Sequence, residues 1–378
     1  MSVLPLLPTL WSRPGNLALV PESSTSAEPT VLVRTDGAMG RLTLNRPRAI
    51  NALDVEMIRL LDSALDAWEH DARIEVVVLD GAGERGLCAG GDVRGLYDQI
   101  VAGRAADTAM FFRAEYALNA RIAEYPKPIV ALADGITMGG GIGLASHAAI
   151  RVVTERSKLA MPETRIGFTP DVGGTWLLAH APGHLGEYLA VTGTTMDAAD
   201  ALYAGFADHL VPSDRLDRLR TSLAAGGDAE SVVRGFAQAP GDAALEAART
   251  WVDETFGADT LGETLERLRA RAEPEASTIL QTLQQLAPTG MAVTFEAVRR
   301  ARELSDLRAD LAQEYGLVMW FAHTQPDLVE GIRAQLVDKD RDPHWKPAAL
   351  ADVEADTLAE AFAFIPAEPL WPEGEGRM

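Results

Sequence analysis

The sequence predicts an α/β core followed by an α-helical second half. Two observations predict the core. Short apolar runs at Ile74–Leu79 and Ile129–Ala133 read as buried parallel strands. Each leads into a glycine turn, at Gly90-Gly91 and at Gly139-Gly140-Gly141, and then into helical residues, so one strand–turn–helix unit occurs twice, about 50 residues apart. The third observation predicts the second half: from about residue 226 onward amphipathic helical spacing replaces strand signals.

In chain order, residues 1–29 hold a loose Pro, Ser and Thr mixture and read as a mobile tail, with Leu6–Trp11 as its one docking segment. The core is expected over 30–225. Thr30–Arg34 and Arg41–Asn45 flank Asp36-Gly37 as a hairpin. Ile58, Leu61, Leu65 and Trp68 recur at helical spacing, with Asp54 as the cap. Asp92 is placed to cap the helix after the first glycine turn, and a further helix covers Thr108–Glu124. Helical residues extend through Thr195–Tyr203, with a short strand near His209–Val211. In the helical region, 226–378, the expected helices are Leu245–Phe256, Leu261–Ala272, Ser277–Leu286, Ala292–Leu304 and Asp306–Ala322.

The 378 residues are 47% hydrophobic, enough for a large core, and no apolar run is long enough to span a membrane. No secretory leader is expected. A formal charge of −21 opposes nucleic acid and anionic membranes as partners, so an anionic ligand needs a local group of arginines. One cysteine, Cys88, excludes an internal disulfide and fits a reducing, cytoplasmic compartment. His180 and His184 are four apart without an acidic partner for a zinc pattern, so no metal is expected.

A glycine turn lets backbone N–H groups approach a ligand, and a helix N-terminus behind it favours a negative oxygen. Two such turns, supplying Gly91 and Gly140, suit a thioester carbonyl that gathers charge during attack. Two carboxylates, Glu163 and Asp171, follow eight residues apart. Each has a bland alternative: Glu163 can satisfy a loop, and Asp171 can cap a helix. The run from Gly141 to Ser146 nearly completes a dinucleotide fingerprint, but it lacks the third glycine and leaves the first turn unexplained.

LTLNRPRAINAL (42–53), AGGD (89–92) and the GITMGGGIGLA run resemble the crotonase, or enoyl-CoA hydratase/isomerase, superfamily over about residues 31–215. FFRAEY (111–116), MPETRIGFTPDVGGT (161–175) and EGIRAQLVDKDRDPHWKPAAL (330–350) are similar to its 3-hydroxyisobutyryl-CoA hydrolase branch. The resemblance implies a crotonase-like spiral of ββα units that binds CoA thioesters, often as a homo-oligomer, with CoA part of the substrate and no separate cofactor. It implies hydrolysis of a short 3-hydroxyacyl-CoA in valine catabolism, with enoyl-CoA hydration as the alternative. It also puts catalytic roles on Gly91, Gly140, Glu163 and Asp171, and substrate contacts on Glu115, Gly140, Glu163 and Asp171. Glu115, read alone, is a solvated or ion-paired helix residue. Arg46, Arg48, Ala89 and Gly91 are the candidates beside the CoA moiety, the arginines through their guanidinium forks. Hydratases of this superfamily place a second glutamate two residues after the glycine triplet; here that position is Gly143. Some relatives bind RNA or act as scaffolds, which the acidic balance and the retained carboxylates oppose.

Overall fold

The computed structural model describes residues 28–371, so the expected tail and its Leu6–Trp11 segment lie outside the described residues. Nine strands run β1 (Val31–Asp36), β2 (Met39–Leu44), β3 (Val76–Gly81), β4 (Gly86–Cys88), β5 (Ile129–Ala133), β6 (Ile136–Met138), β7 (Ile150–Val153), β8 (Lys158–Ala160) and β9 (His209–Leu210). They make two sheets, ordered β1-β2-β3-β5-β7-β9 and β4-β6-β8. β1 and β2 form the expected antiparallel hairpin, closed at Gly37 with φ +56°, and every other pairing is parallel. The pairs β3/β4, β5/β6 and β7/β8 each give one strand to the large sheet and the next to the small one. That alternation winds the chain into the spiral expected of ββα units.

Both faces of the large sheet are covered, which explains its unbroken apolar strands. Val77, Leu79, Ile129 and Ala131 face the main core, while Val76, Val78, Val130 and Leu132 face Leu219, Leu223 and Val233. Helix α1 (Val55–Glu69) begins as expected, with the Asp54 carboxylate accepting from the Met57 N–H. Helices α2 (Val93–Val101), α3 (Thr108–Glu124), α4 (Gly140–Ala145) and α5 (Gly174–Ala179) follow the strands. Asp92 precedes α2 but its side chain caps nothing; it accepts instead from Arg46 at 2.9 Å.

The later helices fall at Ala244–Phe256, Leu261–Ala270, Pro274–Leu283, Pro288–Ala301 and Leu307–Thr324. Two of them start several residues earlier than expected because prolines, Pro274 and Pro288, occupy the first helical position. The boundary expected at 225/226 is not a division of the core: one buried cluster runs from Val31 to Leu370. The helical half packs directly onto the turns that follow β8. Gly331, on the Pro326–Ile332 helix, approaches Ile166 so closely that a Cβ there would lie 2.2 Å from its carbonyl carbon. Gly167 likewise faces the Asp327 carbonyl, with 2.2 Å for an added Cβ. No helix among the described residues is long and apolar enough to cross a membrane.

Candidate active site

A cavity of about 680 Å³ opens where the two glycine turns meet. The turns touch: a Cβ placed on Gly140 would lie 3.3 Å from the Gly91 nitrogen. Gly90 at φ +112° and Gly139 at φ +48° hold conformations that side chains resist, which is why glycine stands there. Gly140 is the first residue of α4, so its N–H has no partner inside the helix. Among the described residues neither the Gly91 nor the Gly140 N–H donates a hydrogen bond. Two adjacent unpaired donors at a cavity wall can together hold one negative oxygen.

Three carboxylates enter the same cavity: Glu115 from α3, Glu163 from the turn after β8, and Asp171 from the loop before α5. All three are buried. An added Cβ on Gly139 would be 2.9 Å from Glu163 Oε1, and one on Gly140 would be 2.5 Å from Glu115 Oε1. Glu115 Oε1 and Glu163 Oε2 have no hydrogen-bond partner. Burial, followed by the charge of Asp171, pushes both glutamates well above the usual carboxylate range. Asp171 accepts a 2.8 Å bond from the Tyr116 hydroxyl, which opposes the effect of burial, yet its carboxyl still rises to about 7. Three acids around one space cannot all ionise together.

Asp171 is not a helix cap. Its carboxylate goes to Tyr116, and only its carbonyl bonds to the Gly174 N–H, at 2.7 Å. The next residue, Val172, is β-branched yet has φ +58°, a strained geometry. Its carbonyl accepts from His147 Nε2 at 2.8 Å. Burial lowers His147 to about 4, so near neutral pH the ring is uncharged with its proton on Nε2.

At Gly143 an added Cβ would fall 2.7 Å from the Val172 Cβ and 2.8 Å from Asn119 Nδ2. The position lacks an acid, and it also lacks the space for one.

Arg48, Ala89 and Gly91 line the cavity, together with Arg85, Arg94 and Lys339. Arg46 does not: its guanidinium is held by Asp92 at 2.9 Å, Asp54 at 3.4 Å and the Ala52 carbonyl. It braces the loop, leaving Arg48 as the candidate of the pair. Sequence reasoning passed over Tyr116, Phe111, Arg94 and Lys339 as site residues. Phe111, four residues before Glu115, had a signal in the FFRAEY motif, since residues three or four apart share a helix face; Tyr116, adjacent to Glu115, had none from that spacing. Cys88 packs against Gly141 with its thiol raised to about 12 by burial, so it is an inert filler. His180 bonds the Trp176 carbonyl of its own helix, and His184 pairs with Glu187.

Residues 39–362 match the family model described as enoyl-CoA hydratase/isomerase. The chain belongs to that family. It is 39% identical to the mitochondrial 3-hydroxyisobutyryl-CoA hydrolase of Mus musculus, over 88% of each chain. It is 35% identical to the probable 3-hydroxyisobutyryl-CoA hydrolase 3 of Arabidopsis thaliana, over 92% of this chain and 95% of that one. Among solved structures, a carnitinyl-CoA dehydratase from Mycobacterium thermoresistibile superimposes with a TM-score of 0.87 at 45% identity, covering 92% of this chain and 99% of that chain. An enoyl-CoA hydratase from Rhodobacter sphaeroides gives 0.85 at 40% identity, over 90% and 99%.

Proposed function

We propose that the protein hydrolyses the thioester of a short 3-hydroxyacyl-CoA, with 3-hydroxyisobutyryl-CoA as its substrate type. The observation that carries this reading is the pair of unpaired N–H groups on Gly91 and Gly140 facing Glu163 across one cavity. The thioester oxygen accepts both N–H groups as charge develops on it. Glu163, once ionised, either attacks the carbonyl carbon, expelling CoA thiolate and leaving an acyl anhydride that water opens, or takes a proton from an attacking water. Asp171 accepts a hydrogen bond from the 3-hydroxyl. Arg48, Arg85, Arg94 and Lys339, at the cavity wall, meet the CoA phosphates. The names of the 3-hydroxyisobutyryl-CoA hydrolase relatives support this substrate, and a place in valine catabolism comes with it. The vertebrate relatives are named as mitochondrial; for this chain a reducing, cytoplasmic compartment rests on its lone thiol.

One observation favours a second reading, hydration or dehydration at the double bond, as in the names of the two solved relatives. Glu115 brings an unpartnered carboxylate oxygen close to Gly140 and so supplies a second acid from another direction. The closed space at Gly143 favours hydrolysis, because the usual hydratase arrangement cannot form there. The test is thiol release from 3-hydroxyisobutyryl-CoA and isobutyryl-CoA in parallel. The proposed site penalises the chain without a hydroxyl, since the Asp171 oxygen not bonded to Tyr116 then loses its substrate partner. Equal rates would remove Asp171 from substrate recognition, and no release from either would end the hydrolase reading.

A further inference from the structure

The loop that carries Asp171 is gripped from behind by two buried acids of the Leu307–Thr324 helix. Glu314 Oε2 accepts from the Gly173 N–H at 2.6 Å, and Glu314 Oε1 accepts from the Thr175 N–H at 2.8 Å. Asp310 Oδ2 takes the Trp176 N–H at 3.0 Å. The Thr175 hydroxyl oxygen lies 2.8 Å from both Asp310 Oδ1 and Glu314 Oε1. Burial raises the carboxyl of Asp310 to about 6 and that of Glu314 well above the usual carboxylate range. Both acids are fully buried, and no basic residue forms an ion pair with either among the described residues. Burying uncompensated acids is expensive, and a fold that needed only to close this helix end had neutral caps to use.

What the acids hold is unusual. Val172, between Asp171 and the gripped Gly173, keeps φ +58°, which a β-branched residue adopts only when its surroundings impose it. The surroundings here are His147 on the Val172 carbonyl and Glu314 on the next N–H. The Val172 side chain in turn fills the space at Gly143.

We propose that Glu314 is a positioning residue for Asp171: by fixing the Gly173–Thr175 turn it imposes the strained Val172 geometry and so sets where the Asp171 carboxylate meets the substrate. The inference rests on the hydrolase reading for the substrate contact, while its geometric part stands on this chain alone. It gives the helical second half a direct part in selectivity.

The test compares E314A and E314Q with the wild-type full chain. The readout is the ratio of kcat/KM for 3-hydroxyisobutyryl-CoA over isobutyryl-CoA, alongside the Kd for free CoA. The expected result is a fall in that ratio of about tenfold or more for E314A, the size of leaving a buried N–H without its partner, a smaller fall for E314Q, and a CoA Kd within about twofold of wild type. Leu268→Ala serves as a stability control: Leu268 is fully buried on the Leu261–Ala270 helix, which makes none of the hydrogen bonds to this turn. It should lower Tm and leave the ratio unchanged. A folded E314A with the wild-type ratio would overturn the proposal, as would a ratio lost equally in L268A. Should the wild type release no CoA from either thioester, the hydrolase reading fails. The positioning claim is then decided by the His147 ring ¹⁵N spectrum: loss of its bond to Val172 in E314A supports the claim, and an unchanged spectrum refutes it.

Discussion

Replacing Asp171 by asparagine should stabilise the protein above neutral pH. In the unfolded chain this carboxyl ionises near 3.8, whereas in the folded protein burial raises it to about 7. The folded state therefore holds a proton that the unfolded state gives up. Stability is fully present below the unfolded value and is lost as pH rises through about 7. A rise of about three pH units, at about 1.4 kcal/mol each, sets the cost at about 4 kcal/mol by pH 8. Asparagine keeps the shape and still accepts from the Tyr116 hydroxyl, so the variant escapes that cost without opening a cavity. With an unfolding entropy of about 2.1 cal/mol/K per residue, the gain is about 5 °C in Tm. The assay is thermal unfolding of both proteins at pH 5 and pH 8. Asp171→Asn should melt higher at pH 8, and the gap should shrink sharply at pH 5. Equal melting at pH 8, or a variant less stable there, would show that Asp171 is comfortably ionised in the fold and would refute the reasoning.

The other predictions concern turnover and packing. Glu163→Gln should lower kcat by about 10²–10⁴ while CoA still binds, measured by thiol release and calorimetry; an unimpaired variant removes Glu163 from the chemistry. Gly140→Pro deletes one of the two donors and crowds Glu115, and should cost at least about 10²–10³ in kcat with the fold retained by circular dichroism. Gly143→Glu should not create a hydratase: its side chain collides with Val172 and Asn119, so the expected result is a loss of about 1–3 kcal/mol or more in denaturant unfolding and no gain in crotonyl-CoA hydration.

Much of this site was legible because its parts are local in sequence. Glycine clusters after apolar strands mark tight turns, and the Gly90–Gly91 and Gly139–Gly141 turns do meet in space. Asp54 capped its helix as its position implied, because nothing nearby competed for it as strongly as the Met57 N–H. Asp92 had the same signal and failed, because Arg46, distant in sequence, claimed its carboxylate. The small sheet was invisible: its strands have three residues each, too few to show a period. The support behind Asp171 was equally hidden. Asp310 and Glu314 are four apart on a helix, and nothing local in the sequence shows that both are buried against the Gly173–Trp176 turn. Val172 gave no sign of φ +58°, since valine is among the residues least suited to it. The expected break at 225/226 reflected a change from strands to helices along the chain, which the shared core does not follow.

The central claim, that this cavity breaks the thioester and leaves the 3-hydroxyl in place, is tested most directly by product analysis. The purified full chain is given 3-hydroxyisobutyryl-CoA, and its products are followed by mass spectrometry and by a thiol reagent. Hydrolysis yields free CoA and 3-hydroxyisobutyrate in equal amounts. Accumulation of the dehydrated 2-methyl-enoyl-CoA without thiol release would contradict it.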